Sequence, residues 1–146
     1  MGLFGPKRDS KSVGERSEAI IMSRLLQVGY VVLTPFGESS RYDLVIEDAD
    51  GGFWRVQCKT AWLSEDGTYL RFNTASNHYH YKGGRTTNAR RHYRGQIDYF
   101  AVYSPDTDKV YLIPVDHVGT TQAHLRLVET TAKNQHGTRM AIDFEL

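Results

Sequence analysis

Apolar positions change their spacing at Gly29. Before it, Met22, Leu25 and Leu26 recur at helical spacing, which predicts a helix over residues 13–28 that ends at the glycine. Glu18 lies about one turn before Met22 on the same stripe, so a carboxylate is expected on the packed side of this helix. After Gly29 the apolar residues form short runs over 30–33, 42–47, 53–63 and 68–73, which predict four strands.

Polar turns between these runs indicate how the strands are connected. Residues 48–52 favour a hairpin turn between the second and third strands, and residues 104–108 favour a later hairpin of 97–103 and 109–115. Residues 74–96 have no clear period, and weak strands are expected near 125–128 and 140–144. The pattern predicts an α/β (α+β) fold, with a mixed central β-sheet and the first helix packed on it.

Length and composition limit the class of protein. A chain of 146 residues is long enough for one domain with a real core and too short for two. We expect a flexible arm over residues 1–12 and a single domain over 13–146. No apolar run approaches the length of a bilayer span, and Cys58 is the single cysteine, so no internal disulfide can form. These features predict a cytoplasmic protein without membrane attachment.

An aspartate and a lysine fall inside runs that otherwise predict buried strands. Side chains alternate along a strand, so Gln57 and Lys59 share one face while Cys58 points away as a packed thiol. The turn at 48–52 brings Asp43 opposite this pair, and the helix adds Glu18. Burying an unpaired charge costs about several kcal/mol. A divalent cation beside Asp43 and a phosphate beside Lys59 would remove that cost, which favours metal-dependent phosphodiester chemistry.

Each of these residues alone has a simpler explanation. Glu18 could pair with an arginine at the edge of the core, and Asp43 could form a surface pair with its neighbour Arg41. Lys59 could extend its ammonium out of a half-exposed strand. Only the joint placement of the residues favours a functional site over coincidence.

Three segments carry a resemblance to a known family: Gly14-x-x-x-Glu18, Tyr42-Asp43-Leu44-Val45 and Val56-Gln57-Cys58-Lys59-Thr60. Together they resemble the PD-(D/E)XK nuclease pattern, in particular that of the group I intron-associated endonucleases, which are related in their core to archaeal Holliday junction resolvases. The likeness continues through residues 93–103 and 110–115, and covers the chain from about residue 13 to its end. Gln57 stands where most of the superfamily has Glu or Asp, although members of the intron-associated group also use Gln there.

The resemblance implies a restriction-endonuclease-like core, in which helices flank the mixed sheet, and a Mg²⁺ cofactor for which Mn²⁺ can substitute. Asp43, the amide oxygen of Gln57 and the backbone carbonyl of Cys58 would hold the ion, with Glu18 binding it directly or through water. Lys59 would position the attacking water or stabilise charge on phosphorus. Because Gln57 is uncharged, metal affinity should be low unless Glu18 compensates.

Charge is unevenly distributed along the chain, although the net charge is only +1. Residues 74–96 contain no Asp or Glu and several arginines interleaved with tyrosines, which suits phosphate contacts with stacking nearby. His78 and His80 share a strand face, but no Cys or further His supports a zinc site there. We expect contacts to DNA from Ser39, Ser40, Arg41, Tyr81, Lys82, Arg85, Arg90, Arg91, Tyr93 and Arg94.

Three functional hypotheses follow. The first is a homing-type DNA endonuclease, and the second is a structure-selective Holliday junction resolvase with the same active site. The third is a catalytically weak DNA-binding module in which Gln57 reflects lost activity. One site cuts one strand, so cutting both strands requires self-association, as a homodimer or a dimer of dimers.

Overall fold

The computed structural model describes residues 2–129 and 139–146. The described chain contains one α-helix, two short 3₁₀ turns (Val115–His117 and Ala141–Phe144) and ten strands. The helix α1 spans Ser10–Val28, and the strands are β1 Val31–Leu33, β2 Leu44–Glu47, β3 Phe53–Thr60, β4 Trp62–Leu63, β5 Tyr69–Asn73, β6 Ala75–Lys82, β7 Arg85–His92, β8 Tyr99–Ser104, β9 Lys109–Pro114 and β10 Gln122–Arg126. Within these residues, no helix combines the length and the apolar composition that crossing a bilayer would require.

Helix α1 begins three residues before the predicted start at residue 13. Asp9 caps it, because its carboxylate accepts the backbone N–H of Ser12 at 3.0 Å. Residues 10–12, assigned to the flexible arm from the sequence, are therefore helical. The predicted end is confirmed, since Gly29 adopts the left-handed conformation with φ 106° and closes the helix.

Five strands form the central sheet in the order β1-β2-β3-β8-β9. The sheet is mixed, as predicted, because β3 pairs parallel with β8 while the other neighbours are antiparallel. Helix α1 packs on one face through a cluster that contains Ile21, Leu25, Leu44, Val56 and Ala101. Both predicted hairpins, β2–β3 and β8–β9, are confirmed.

The opposite face of the sheet carries a second, three-stranded sheet in the order β10-β5-β4, where the sequence led us to expect helices. Its core contains Leu70, Phe72, Phe100, Ile113 and Leu125. The predicted strand over 53–63 is consequently broken. Ala61 donates its N–H to the carbonyl of Tyr103 at 2.8 Å, and the next two residues pair with β5 instead.

Strands β6 and β7 form a two-stranded ribbon that the sequence did not predict. Eight residues of each strand pair from Ala75↔His92 at the root to Lys82↔Arg85 at the tip. Gly83 and Gly84 turn the chain with φ of 61° and 77°, as a type I′ hairpin requires. We use "the ribbon" for these strands and "the ribbon root" for Ala75, Ser76, Arg91 and His92. The side chains of His78 and His80 lie outside the described residues.

The C-terminal part matches the prediction only partly. A strand forms at Gln122–Arg126, close to the expected 125–128. The second expected strand, over 140–144, is wrong, because Ala141–Phe144 forms a 3₁₀ turn that buries Ala141 against the core.

Candidate active site

Asp43 lies where β2 separates from β3. Its backbone N–H donates to the carbonyl of Val56 at 3.0 Å, and its Oδ2 accepts the backbone N–H of Cys58 at 2.9 Å. The carboxylate therefore continues the hydrogen-bonded pairing with β3 one residue before β2 begins. Because the N–H and C=O of one residue leave a strand on the same side, the carbonyl of Cys58 also points to this edge.

Gln57 and Lys59 share one face of β3, as alternation predicted, and this face is opposite to the helix. Their register partners, Phe100 and Val102, belong to the core between the two sheets. Cys58 instead packs in the cluster under α1. Burial raises the pKa of the Cys58 thiol well above its ordinary value, the charges of Asp43 and Glu18 add to this, and Lys59 opposes it. Cys58 is thus a packed thiol, and the charges of Asp43, Glu18 and Lys59 all affect its pKa.

Glu18 approaches from the helix side. Ser17, which is 3% exposed, fixes the helix against β3 through a 2.6 Å hydrogen bond between its hydroxyl and that of Thr60. Glu18 flanks this contact and is half-buried. Its pKa is raised, first by burial and then by the negative charge of Asp43. The charge of Asp43 therefore reaches Glu18.

The pKa of Asp43 is also raised. Burial is the main cause, and the hydrogen bond from Cys58 and the charge of Lys59 only partly offset it. Two carboxylates that repel each other in a partly desolvated place gain from a nearby cation.

The oxygen donors at this edge suit a hard divalent cation. Among the described residues, no hydrogen bond engages Oδ1 of Asp43 or the side chains of Glu18 and Gln57. Carboxylate, amide and backbone oxygens are the ligands that Mg²⁺ prefers. Within residues 2–129 and 139–146, no group of three or more His, Cys, Asp or Glu side chains is arranged to hold a metal.

Lys59 is held by an aromatic residue from the end of the ribbon. Its Nζ donates to the hydroxyl of Tyr93 at 3.3 Å and lies 4.9 Å from the centre of the Tyr93 ring. The guanidinium of Arg41 lies 4.1 Å from the centre of the same ring. Cations at these distances are attracted by the negative face of an aromatic ring.

The predicted DNA-contacting residues divide into two groups. Most are exposed to solvent, namely Ser39, Ser40, Tyr81, Lys82, Arg85, Arg90, Arg91 and Arg94. Arg94 also donates to the carbonyl of Val118 at 2.7 Å. The other two residues differ from expectation: Tyr93 is only 4% exposed and packs edge-on against Phe100, and Arg41 is half-buried. The structure does not favour the predicted contact between Tyr93 and DNA, because the protein already encloses the tyrosine ring.

One polar pair beside the site was not anticipated from the sequence. Asp98 accepts the backbone N–H of Arg55 at 2.7 Å and pairs with its guanidinium at 3.2 Å. Burial acts to raise the pKa of Asp98, but the bonds and charge of Arg55 outweigh it and lower that pKa. The pair ties the segment after the ribbon to β3. The apolar pattern of the sequence does not indicate the Arg55–Asp98 pair, because the two residues are distant in sequence and meet only through the parallel β3–β8 pairing.

Comparisons with known proteins concern the chain as a whole. A comparison with curated proteins found no significant match. Among solved structures, the bacterial homing endonuclease I-Ssp6803I is similar, with a TM-score of 0.70 and 26% sequence identity over 94% of this chain and 89% of that chain. The sequence profile of the PD-(D/E)XK endonucleases matches residues 8–146. The chain therefore belongs to the PD-(D/E)XK endonuclease family and is a nuclease that hydrolyses phosphodiester bonds.

Proposed function

We propose that the protein is a Mg²⁺-dependent, homing-type DNA endonuclease. Its active site lies where β2 begins beside β3. One observation carries the proposal: the Asp43 carboxylate is fixed on the Cys58 N–H, with Glu18 close enough for their charges to interact. Asp43, Gln57 and the Cys58 carbonyl would hold Mg²⁺ or Mn²⁺, and Glu18 would bind it directly or through water. The PD-(D/E)XK family supports a divalent cation of this kind.

The side chains at this site have separate roles in the proposed hydrolysis. A divalent cation held by Asp43, Gln57 and the Cys58 carbonyl would supply positive charge beside the scissile phosphate and would make a nearby water more acidic. Lys59 orients that water or stabilises the charge that develops on phosphorus. Asp43 and Glu18 must be ionised to act as ligands, so their raised pKa values make metal uptake favour higher pH.

The ribbon is the proposed DNA-contacting element. Each strand has eight residues, a length of about 26 Å. Directly paired residues share a face, so Lys82, Arg85 and Arg91 lie on one side, and Tyr81 and Arg90 lie on the other. A two-stranded ribbon fits the major groove, and basic residues on both sides could reach the two flanking phosphate backbones. Ser39, Ser40 and Arg94 are proposed as additional contacts.

The homing assignment rests on the similarity to I-Ssp6803I, which is described as a bacterial homing endonuclease. A junction resolvase would use the same site and remains the alternative. Either activity needs two sites to cut two strands, so we propose at least a homodimer.

The test uses two substrates and one variant. The protein is incubated with Mg²⁺ and either a library of duplexes of random sequence or a mobile four-way junction, and the cut ends are sequenced. We expect cleaved duplexes that share one sequence, with 5′-phosphate ends. Preferential junction cleavage at symmetric positions would instead support the resolvase.

The variant Lys59→Ala is expected to cut at least about a hundredfold more slowly, because the water or phosphorus charge loses its partner, and to bind DNA as the wild type does. If the wild type and Lys59→Ala both bind and neither cuts, the protein is a DNA-binding module and the nuclease proposal is wrong.

A further inference from the structure

The proposed role of Lys59 requires that its ammonium group is held in one position, and the lysine side chain alone is too flexible to hold it there. A lysine carries its ammonium on a flexible stem of four carbons, and holding it in one rotamer costs conformational entropy. Strand β3 fixes only the first atoms of this side chain. The ammonium itself is fixed through Tyr93, which accepts its hydrogen bond at 3.3 Å and places its ring 4.9 Å away.

Tyr93 is itself immobilised from two directions. On the core side, its ring packs edge-on against Phe100, with centroids 5.6 Å apart at 88°. On the other side, the Arg41 guanidinium lies over the ring at 4.1 Å. The tyrosine is 4% exposed, so its hydroxyl has little freedom to leave Lys59.

Arg41 is in turn fixed by the ribbon root. Its Nη1 donates to the hydroxyl of Ser76 at 2.7 Å, and its Nη2 donates to the carbonyls of His92 and Arg91 at 2.9 and 3.3 Å. Its Nε donates to the side chain of Gln96 at 2.6 Å. Both strands of the ribbon are therefore joined, through one guanidinium, to the ring that holds Lys59.

We infer that Tyr93 is a positioning residue for Lys59 and that Arg41 links its placement to the ribbon root. This inference rests on the proposed function for its consequence in cleavage. DNA that displaces the ribbon root would move Arg41 and the Tyr93 ring, and with them the lysine. Correct seating of the ribbon thereby becomes a condition for full cleavage activity.

The test compares Tyr93→Phe with Tyr111→Phe. Tyr111 is a matched control, because it belongs to the same core and its hydroxyl lies 3.0 Å from that of Thr107, with no contact to Lys59. Cleavage is measured in single turnover at saturating DNA, and DNA affinity is measured separately without divalent metal. We expect Tyr93→Phe to cut about tenfold more slowly with unchanged affinity, since a small misplacement of a catalytic group has effects of this size or larger. Tyr111→Phe should cut at the wild-type rate.

A second measurement does not depend on activity. The ε-methylene resonance of Lys59, recorded by NMR in the metal-free and DNA-free protein, should move in Tyr93→Phe and stay in place in Tyr111→Phe. Arg41→Lys keeps the positive charge but cannot make all these bonds, so it should move the same resonance.

An unmoved Lys59 resonance in Tyr93→Phe, or wild-type cleavage by that variant, overturns the inference. If the wild type cuts no DNA, the proposed function fails instead, and the NMR result alone then decides whether Tyr93 positions Lys59.

Discussion

The edge that holds Asp43 and the ribbon that carries Arg90 and Arg91 are built in opposite ways. Asp43 is fixed by hydrogen bonds to β3, beside strands that are buried on both faces. Every residue of β7 is exposed, and among the strands of the described residues β6 and β7 pair only with each other. A site that performs chemistry needs placement within a fraction of an ångström, which packing supplies. A surface that follows a nucleic acid needs charge and adaptability, which an exposed ribbon supplies.

The largest expected effect is that of Asp43→Asn at the buried edge. Asparagine still accepts the Cys58 N–H but removes the negative charge, so cleavage should fall on the order of a thousandfold while the fold is kept. Asp50→Asn, an exposed carboxylate in the β2–β3 turn, is the control and should cut normally. Single-turnover cleavage in Mg²⁺ measures both; cleavage by Asp43→Asn at the rate of the control would show that this edge is not the active site.

The ribbon should respond first in the salt dependence of DNA binding. Replacing Arg90 and Arg91 by Ala removes two charges that are exposed on opposite faces of the ribbon. The dependence of log affinity on log salt should become shallower by about one for each lost phosphate contact. Arg71→Ala, an exposed arginine in β5, is the control. A salt slope equal to that of the control would remove the ribbon from the interface.

Gln57→Glu adds the carboxylate that most of the superfamily has at this position. A third negative charge should tighten Mg²⁺ binding about tenfold, measured by calorimetry. Weaker or unchanged binding would mean that the side chain of residue 57 does not reach the ion.

The smallest expected effect is on the pH dependence of the free energy of unfolding. The folded protein holds the pKa values of Glu18 and Asp43 above their ordinary 4.5 and 3.8, so it binds more protons than the unfolded chain in the window above these values. Without divalent metal, the free energy of unfolding contributed by this pair should fall as pH rises through that window. Comparing thermal unfolding of the wild type with Asp43→Asn isolates the effect: the variant should be the more stable one at neutral pH. Saturating Mg²⁺ should reverse the difference, and a difference that is independent of both pH and metal would contradict the account.

The same contrast explains what the sequence could predict. Helix α1 was predictable because it buries one face, which imposes a helical period on its apolar residues. The two central hairpins were predictable because their strands are apolar runs joined by polar turns. Every residue of β7 is exposed, so β7 shows no period, and the pair Gly83-Gly84 is the sequence signal that could have indicated this hairpin. The candidate site was predictable because charges interrupt apolar strands.

Tyr93 was misassigned for a related reason. Its sequence neighbours are basic and exposed, and nothing in the chain indicates that β8 and Arg41 enclose it. Contacts between segments that are distant in sequence leave no local pattern. The link from Arg41 through Tyr93 to Lys59 therefore required the fold.

The position of the cation tests the central claim most directly. Anomalous diffraction from crystals grown with Mn²⁺ would locate it without reference to activity. The account predicts a peak about 2.1 Å from an oxygen of Asp43 and from the amide oxygen of Gln57, and its loss in Asp43→Asn. A peak remote from both residues, or one that persists at this edge in Asp43→Asn, would contradict it.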